Sequence, residues 1–184
     1  MLIAWWILIT VVVILALVFF TYYNKFIRLG NHIDNSLAQI DVQLRKRADL
    51  VPNLIEAVKG YMKHEKSIVT EVTNARKALL GAKDLPAKMK AGNKLQSALK
   101  SIFAIAENYP DLKANTNFLQ LQQELSAIED KIAYSRQYYN DNIMSLNTSV
   151  QTVPGKWFAS MYGVKKREYL QISAEAKVVP KLKF

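Results

Sequence analysis

Two histidines, fifteen carboxylates and no cysteine are what this 184-residue chain offers for building a catalytic or metal site. His64-Glu65 opens like H-E-x-x-H, where two histidines one helical turn apart hold zinc and the glutamate acts as base. Ile68 stands where the second histidine belongs, so His64 reads as a turn residue. His32 has no neighbouring ligand in sequence. There is no glycine-rich phosphate loop and no G-x-S-x-G nucleophile elbow. The acid pairs Glu129-Asp130 and Asp34/Asp41 fall on polar helix faces and read as solvated surface. Asn147-Thr148-Ser149 is a formal glycosylation triplet that reads as chance on the cytoplasmic side of a membrane. The chain is therefore expected to have no catalytic residues, no metal, no cofactor and no small-molecule substrate. Two features suit contact with something larger. Tyr139 of the Tyr134/Tyr138/Tyr139 cluster lies in a helix seam, which leaves Tyr138 as the candidate outward contact. Lys165-Lys166-Arg167 is a basic turn suited to a lipid headgroup or a protein partner.

The element that must position all of this is the N-terminal segment. The 40 Lys, Arg, Asp and Glu side chains all follow residue 24. From Leu2 to Phe20 only Thr10 is polar, and about 20 such residues in a helix cross a hydrocarbon core of about 30 Å. The run is too long for a signal peptide, has no basic side chain before it, and ends in aromatics without a small-residue cleavage pattern. It has no polar face, which argues against a core helix of a soluble protein. At about −0.3 to −0.6 kcal/mol for each strongly apolar residue, insertion is favourable. Trp5 and Trp6 at one end and Tyr22 and Tyr23 at the other suit the two membrane interfaces. Lys25 and Arg28 follow directly. With basic charge on the C-terminal flank alone, the positive-inside rule predicts a single-pass protein of the cell membrane, N-terminus outside and the remainder cytoplasmic. The domains expected are an anchor, 1–23, and a helical domain, 24–184.

About 160 residues follow the anchor, one domain's worth. Their apolar positions step by three and four: Ile33, Leu37, Ile40, Leu44, Val51, Leu54, Val58 and Tyr61, with Arg47 interrupting. A second series runs Phe118, Leu121, Leu125, Ile128, Ile132, Tyr139, Leu146 and Val153, weakened by Ser135, Asn142 and Ser149. A third uses Ile68, Val72, Ala75, Leu79, then Leu95, Leu99, Ile102, Phe103 and Ala106. No segment keeps a period of two. The expectation is an all-α fold: one transmembrane helix, then an antiparallel bundle of three long helices plus a short C-terminal helix over Glu168–Val179. Gly30-Asn31 marks either a break or a weak point in one very long helix. Pro52 kinks a helix without ending it. Ala82 to Pro86 is a loop or a weak point, Asn108 to Asp111 ends a helix that Asn115 or Thr116 restarts, and Val153-Pro154-Gly155 ends the next.

Charge is uneven. Residues 59–100 hold ten basic and three acidic side chains, 101–155 three and six, and 156–184 seven and two. The basic stretches suit anionic headgroups. They contain no nucleic-acid reader motif, and no nucleic-acid partner is expected.

Specific strings then carry a resemblance. Ile33-Asp34-Asn35, Gln39-Ile40-Asp41-Val42-Gln43-Leu44, Arg47-Ala48-Asp49-Leu50-Val51-Pro52-Asn53-Leu54 and Val58-Lys59-Gly60-Tyr61 are similar to the LemA family of bacterial membrane proteins. So are Ala106 to Asn115, Arg136-Gln137-Tyr138-Tyr139-Asn140, Lys166-Arg167-Glu168-Tyr169 and the ending Val179 to Phe184. Ala48 departs from the histidine common there. The resemblance implies a cytoplasmic helical bundle behind a single span, with envelope functions. It supplies no enzymatic activity and no catalytic residues.

The expected function is a non-enzymatic, membrane-anchored scaffold or adaptor in the bacterial cell envelope. Its partners would be membrane lipid and membrane proteins, including other copies of itself or a membrane metalloprotease near which family members are encoded. The polar half of the second long seam motivates this, as a face the helix can spare. The alternative is a basic module that binds anionic lipid and shapes the bilayer.

Overall fold

A computed structural model describes residues 1–62 and 65–170, and the structural statements below concern these residues. They are all-α, without strands: α1 (Leu2–Lys59), α2 (Lys66–Gly81), α3 (Leu85–Ala106), α4 (Pro110–Lys113), α5 (Thr116–Gln151) and α6 (Gly155–Met161). The anchor segment and the first amphipathic segment are one helix of 58 residues. Gly30 does not break it: a glycine inside a helix costs about 1 kcal/mol, and Phe26 and Ile33 on either side are buried. The expected third long segment is two helices, α2 and α3, parted at Ala82–Asp84. Asp84 caps α3 by accepting from the Ala87 N–H at 2.8 Å, with Pro86 in the first turn. Asn115 does the same for α5, accepting from the Phe118 N–H at 3.1 Å. The short helix expected over Glu168–Val179 is not helical at residues 168–170, and its remainder lies outside the described residues, as does His64.

The chain forms two compact units: residues 38–135, and residues 1–37 together with those from 136 onward. In the first, the buried core takes Ile40, Leu44, Val51, Leu54 and Val58 from α1. Val72 and Leu79 of α2, Leu95, Leu99 and Ile102 of α3, Leu112 of α4 and Phe118, Leu125 and Ile128 of α5 complete it. Two irregularities in the α1 pattern resolve here. Arg47, the interruption in the seam, is 3% exposed, and its Nη1 donates to the Gly92 carbonyl of α3 at 3.5 Å. Gly92 lies close against α1 at this crossing: a Cβ there would lie 2.6 Å from Leu44 Cδ2, so the end of the Leu44 side chain would have to shift. Pro52 has no N–H to give the carbonyl four residues back, that of Ala48. Ala48 is fully buried, and its carbonyl accepts from Arg76 Nε of α2 at 2.7 Å. A side chain from a neighbouring helix thus replaces the missing backbone bond.

In the second unit, Phe26 and Ile33 of α1 pack with Tyr139, Ile143 and Leu146 of α5 and Ala159 of α6. Gly155 begins α6 where a Cβ would overlap the Ser149 carbonyl oxygen and press on the Tyr22 ring. Past α6, residues 164–170 are pinned to α5 by two asparagines. The Asn147 amide donates to the Arg167 carbonyl at 2.9 Å and accepts from its N–H at 3.0 Å. Asn140 holds Leu170 in the same way, at 3.2 and 2.9 Å. Seven helical residues rise about 10.5 Å and three extended residues span about 10 Å, so the two clamps are in register. This commits the Asn147 amide, the acceptor of the glycosylation triplet, to the fold.

Candidate functional site

The clearest functional feature is the first third of α1 with the structure at its end. Its apolar window has a mean hydropathy of 3.0 and none of it is buried. The hydroxyls in it are satisfied within the helix: Thr10 Oγ1 donates to the Trp6 carbonyl at 2.8 Å and Thr21 Oγ1 to that of Leu17 at 2.7 Å. That is the solution required where no water is at hand. Trp5 and Trp6 are 65% and 69% exposed. Tyr22 and Tyr23, placed by the sequence at the opposite interface, stand in an aromatic collar. Tyr22 stacks on Phe158 of α6 at 5.1 Å between centroids, and Tyr23 meets Tyr162 edge-on at 5.5 Å. Phe19 and Phe26 also pack edge-on against Tyr162, at 5.3 and 6.2 Å. The Tyr162 hydroxyl donates to the Phe19 carbonyl at 3.0 Å. Burial, and then the neighbouring Tyr23, raise the pKa of Tyr162, so it stays a neutral donor. Lys25 Nζ lies 5.7 Å from the Tyr22 ring centroid, and Arg28 Nε donates to the Asn24 carbonyl at 3.3 Å. The sequence pattern missed Phe158 and Tyr162, because Pro154-Gly155 reads as a stop.

The basic turn is divided. Lys165 and Lys166 are exposed, whereas Arg167 is held through its backbone by Asn147 and through Nη1 by Asp34 Oδ1 at 3.4 Å. Tyr138 is half turned to solvent, its hydroxyl 3.2 Å from His32 Nδ1 and its ring edge-on to the imidazole. The spare face expected from Ser135, Asn142 and Ser149 is not spare. Asn142 and Ser149 are buried and donate to the carbonyls of Tyr138 and Ser145. Such back-bonding lets a short polar side chain sit in an apolar seam. The exposed side of α5 from residue 136 onward instead carries Gln137, Tyr138, Asp141, Met144 and Ser145.

Among the described residues no group of three or more His, Asp or Glu is placed to hold a metal ion. In the unit formed by residues 38–135, an open groove of about 430 Å3 runs between α1 and α5. Asn53, Glu56, Asn117, Gln120 and Glu124 give it a polar lining without histidine or a basic group. Small-molecule sites are mostly concave and apolar with a few convergent polar groups, which this groove is not.

An all-helical body continuous with an exposed, bilayer-length apolar helix defines a membrane-associated protein. The comparisons agree: the LemA family model matches residues 36–184, and the chain belongs to that family. It is 29% identical over 133 residues to protein LemA of Metamycoplasma hominis, covering 70% of this chain and 59% of that protein. It is 22% identical over 184 residues to magnetosome protein MamQ 2 of Paramagnetospirillum magneticum, and 23% over 173 to magnetosome protein MamQ of Magnetospirillum gryphiswaldense. These matches cover 81% and 80% of this chain and 64% of each relative. The chain thus spans about six-tenths of the length of the curated relatives it matches. None of these names states a catalysed reaction.

Proposed function

We propose that this protein is a non-enzymatic, membrane-anchored helical scaffold that works in the bacterial cell envelope through protein contacts. The observation that carries the proposal is the fusion of an exposed, charge-free apolar segment with an amphipathic bundle in one uninterrupted helix. Lys25 and Arg28 on the C-terminal flank set the helical body in the cytoplasm. The surface offered to partners, among them further copies of the chain, is the exposed side of α5 around Tyr138 and Met144. Large apolar and aromatic groups on an exposed helix face are the usual anchors of a protein contact. A photo-crosslinking residue at Met144, in the full chain in native membranes, should trap adducts of defined mass. Monomer alone at natural abundance would count against the scaffold.

A second reading, a module that binds anionic lipid, is favoured by exposed Lys165 and Lys166 in the unit that holds the apolar segment. Each basic residue at an anionic surface contributes about 1 kcal/mol. Lys165→Gln with Lys166→Gln should then weaken contact with anionic headgroups in a salt-sensitive way. Equal behaviour of both chains on neutral and anionic bilayers would remove this reading.

A further inference from the structure

Helix α6 has two faces. Gly155, Phe158, Ala159 and Tyr162 turn toward α1 and the core of their unit. Opposite them stand Trp157 and Met161, 65% and 66% exposed, and Val153 in the preceding turn, also 65% exposed. Trp157 and Met161, four residues apart in α6, share the side of the helix opposite that buried face, and Val153 is exposed in the turn that leads into it. Exposed Lys156 flanks this side.

The depth of this side follows from what α6 touches. Phe158 and Tyr162 meet α1 at Phe19, Tyr22, Tyr23 and Phe26. The apolar segment ends at Phe20, and Phe19 to Phe26 is about 10 Å of helix rise. The headgroup region on each side of a hydrocarbon core is about 5–8 Å thick. Helix α6 therefore sits at the level where α1 passes from hydrocarbon into headgroups. Tryptophan, with an apolar ring and one N–H donor, prefers that zone, and a lysine beside it can extend its ammonium to phosphates. Three side chains are too few for a stable protein interface. Beside a span that already holds the chain at the bilayer, they add apolar area for the membrane surface.

We propose that the outer face of α6 (Trp157 and Met161), with Val153 of the preceding turn, docks into the headgroup–acyl boundary of the leaflet through which α1 leaves the bilayer. The inference rests on the reading that the apolar segment of α1 spans the membrane. It gives the residue 1–37 and 136-onward unit a second attachment beside the span.

The chain has three tryptophans, so two single-tryptophan versions of the full chain can be made. Trp5→Phe with Trp6→Phe leaves Trp157; Trp5→Phe with Trp157→Phe leaves Trp6. All three are exposed, so phenylalanine leaves the fold intact. Both versions are reconstituted in phosphatidylcholine–phosphatidylglycerol vesicles carrying bromine near either the glycerol or the methyl end of the acyl chains. Trp157 should be quenched severalfold more by shallow than by deep bromine and be shielded from aqueous iodide. If Trp6 is quenched by bromolipid while Trp157 is open to iodide and untouched by bromine, the docking is overturned and the span stands. If neither tryptophan is quenched by bromolipid, the spanning reading falls, and the inference with it. If Trp157 is shielded from both quenchers, protein covers the face, and the proposal fails.

Discussion

At the scale of single residues, the most informative contact is Arg76 on the Ala48 carbonyl. Pro52 orphans that carbonyl in a fully buried position, and an orphaned buried acceptor costs about 1–3 kcal/mol. Arg76→Met keeps the aliphatic stem and removes the donor, so it should destabilise the residue 38–135 unit by about that amount. Pro52→Ala restores an N–H for the same carbonyl. The double variant should recover about 1 kcal/mol or more relative to Arg76→Met in the Pro52 background. Hydrogen exchange of the α1 and α2 amides would measure both, and strictly additive effects would sink the explanation. Tyr109 gives a pH-dependent counterpart. Its hydroxyl donates to Glu65 Oε1 at 2.6 Å, and that bond, with burial and the carboxylate's charge, raises its pKa above 10.0. A raised folded value means the contribution is complete below pH 10.0 and is lost as pH rises through the folded value. Alkaline titration should therefore loosen the 65–109 link, and Tyr109→Phe should abolish that part of the alkaline loss. An unchanged alkaline profile in Tyr109→Phe would show that the bond does not carry it.

At the scale of elements, glycine tests the packing in opposite senses. Nothing lies within 4 Å of a Cβ added at Gly30, in a helix interior, so Gly30→Ala should stabilise α1 by about 0.5–1 kcal/mol. At Gly155 the added Cβ meets the Ser149 backbone, which cannot rotate away, and Gly155→Ala should cost about 1–3 kcal/mol and loosen α6 from α1. Thermal unfolding in detergent should move up for the first and down for the second. The long helices were legible because their apolar residues recur at three and four, and that spacing matches the observed burial from Ile33 to Val58 and from Phe118 to Leu146, whereas Tyr61 and Val153, the last of each series, lie past the helix ends and are exposed. Less legible was α6: it is seven residues long and begins at Pro154-Gly155, a pair that reads as punctuation. Its collar residues Phe158 and Tyr162 were hidden with it. Asn140 and Asn147 were opaque for another reason. A side-chain clamp on an extended segment has no period, and two polar residues seven apart on a helix look like solvated surface. Asn142 and Ser149 misled in the same way, since back-bonding to their own helix lets them occupy the seam.

For the whole molecule, the governing asymmetry is electrical. The segment before Lys25 carries no charged side chain, and the flank after it is basic. The proposed orientation follows from that difference, because translocating lysine and arginine is disfavoured and no lysine or arginine among residues 1–24 opposes it. The absence of cysteine makes this directly measurable, since a single introduced thiol is read without background. Lys94 and Leu2 are both exposed. In intact cells a membrane-impermeant maleimide should label Leu2→Cys and leave Lys94→Cys unlabelled until the membrane is opened. Labelling of Lys94→Cys in intact cells would place the body outside and reverse the proposal. The cause is separable from the outcome. Moving the positive charge across the span, with Lys25→Gln and Arg28→Gln balanced by Leu2→Lys and Ile3→Lys, should turn a fraction of the chains around. Lys94→Cys made in that background should then become reactive from outside. If the orientation holds despite the exchange, Arg45, Lys46 and Arg47 further along α1, and not the two residues beside the span, retain the body in the cytoplasm.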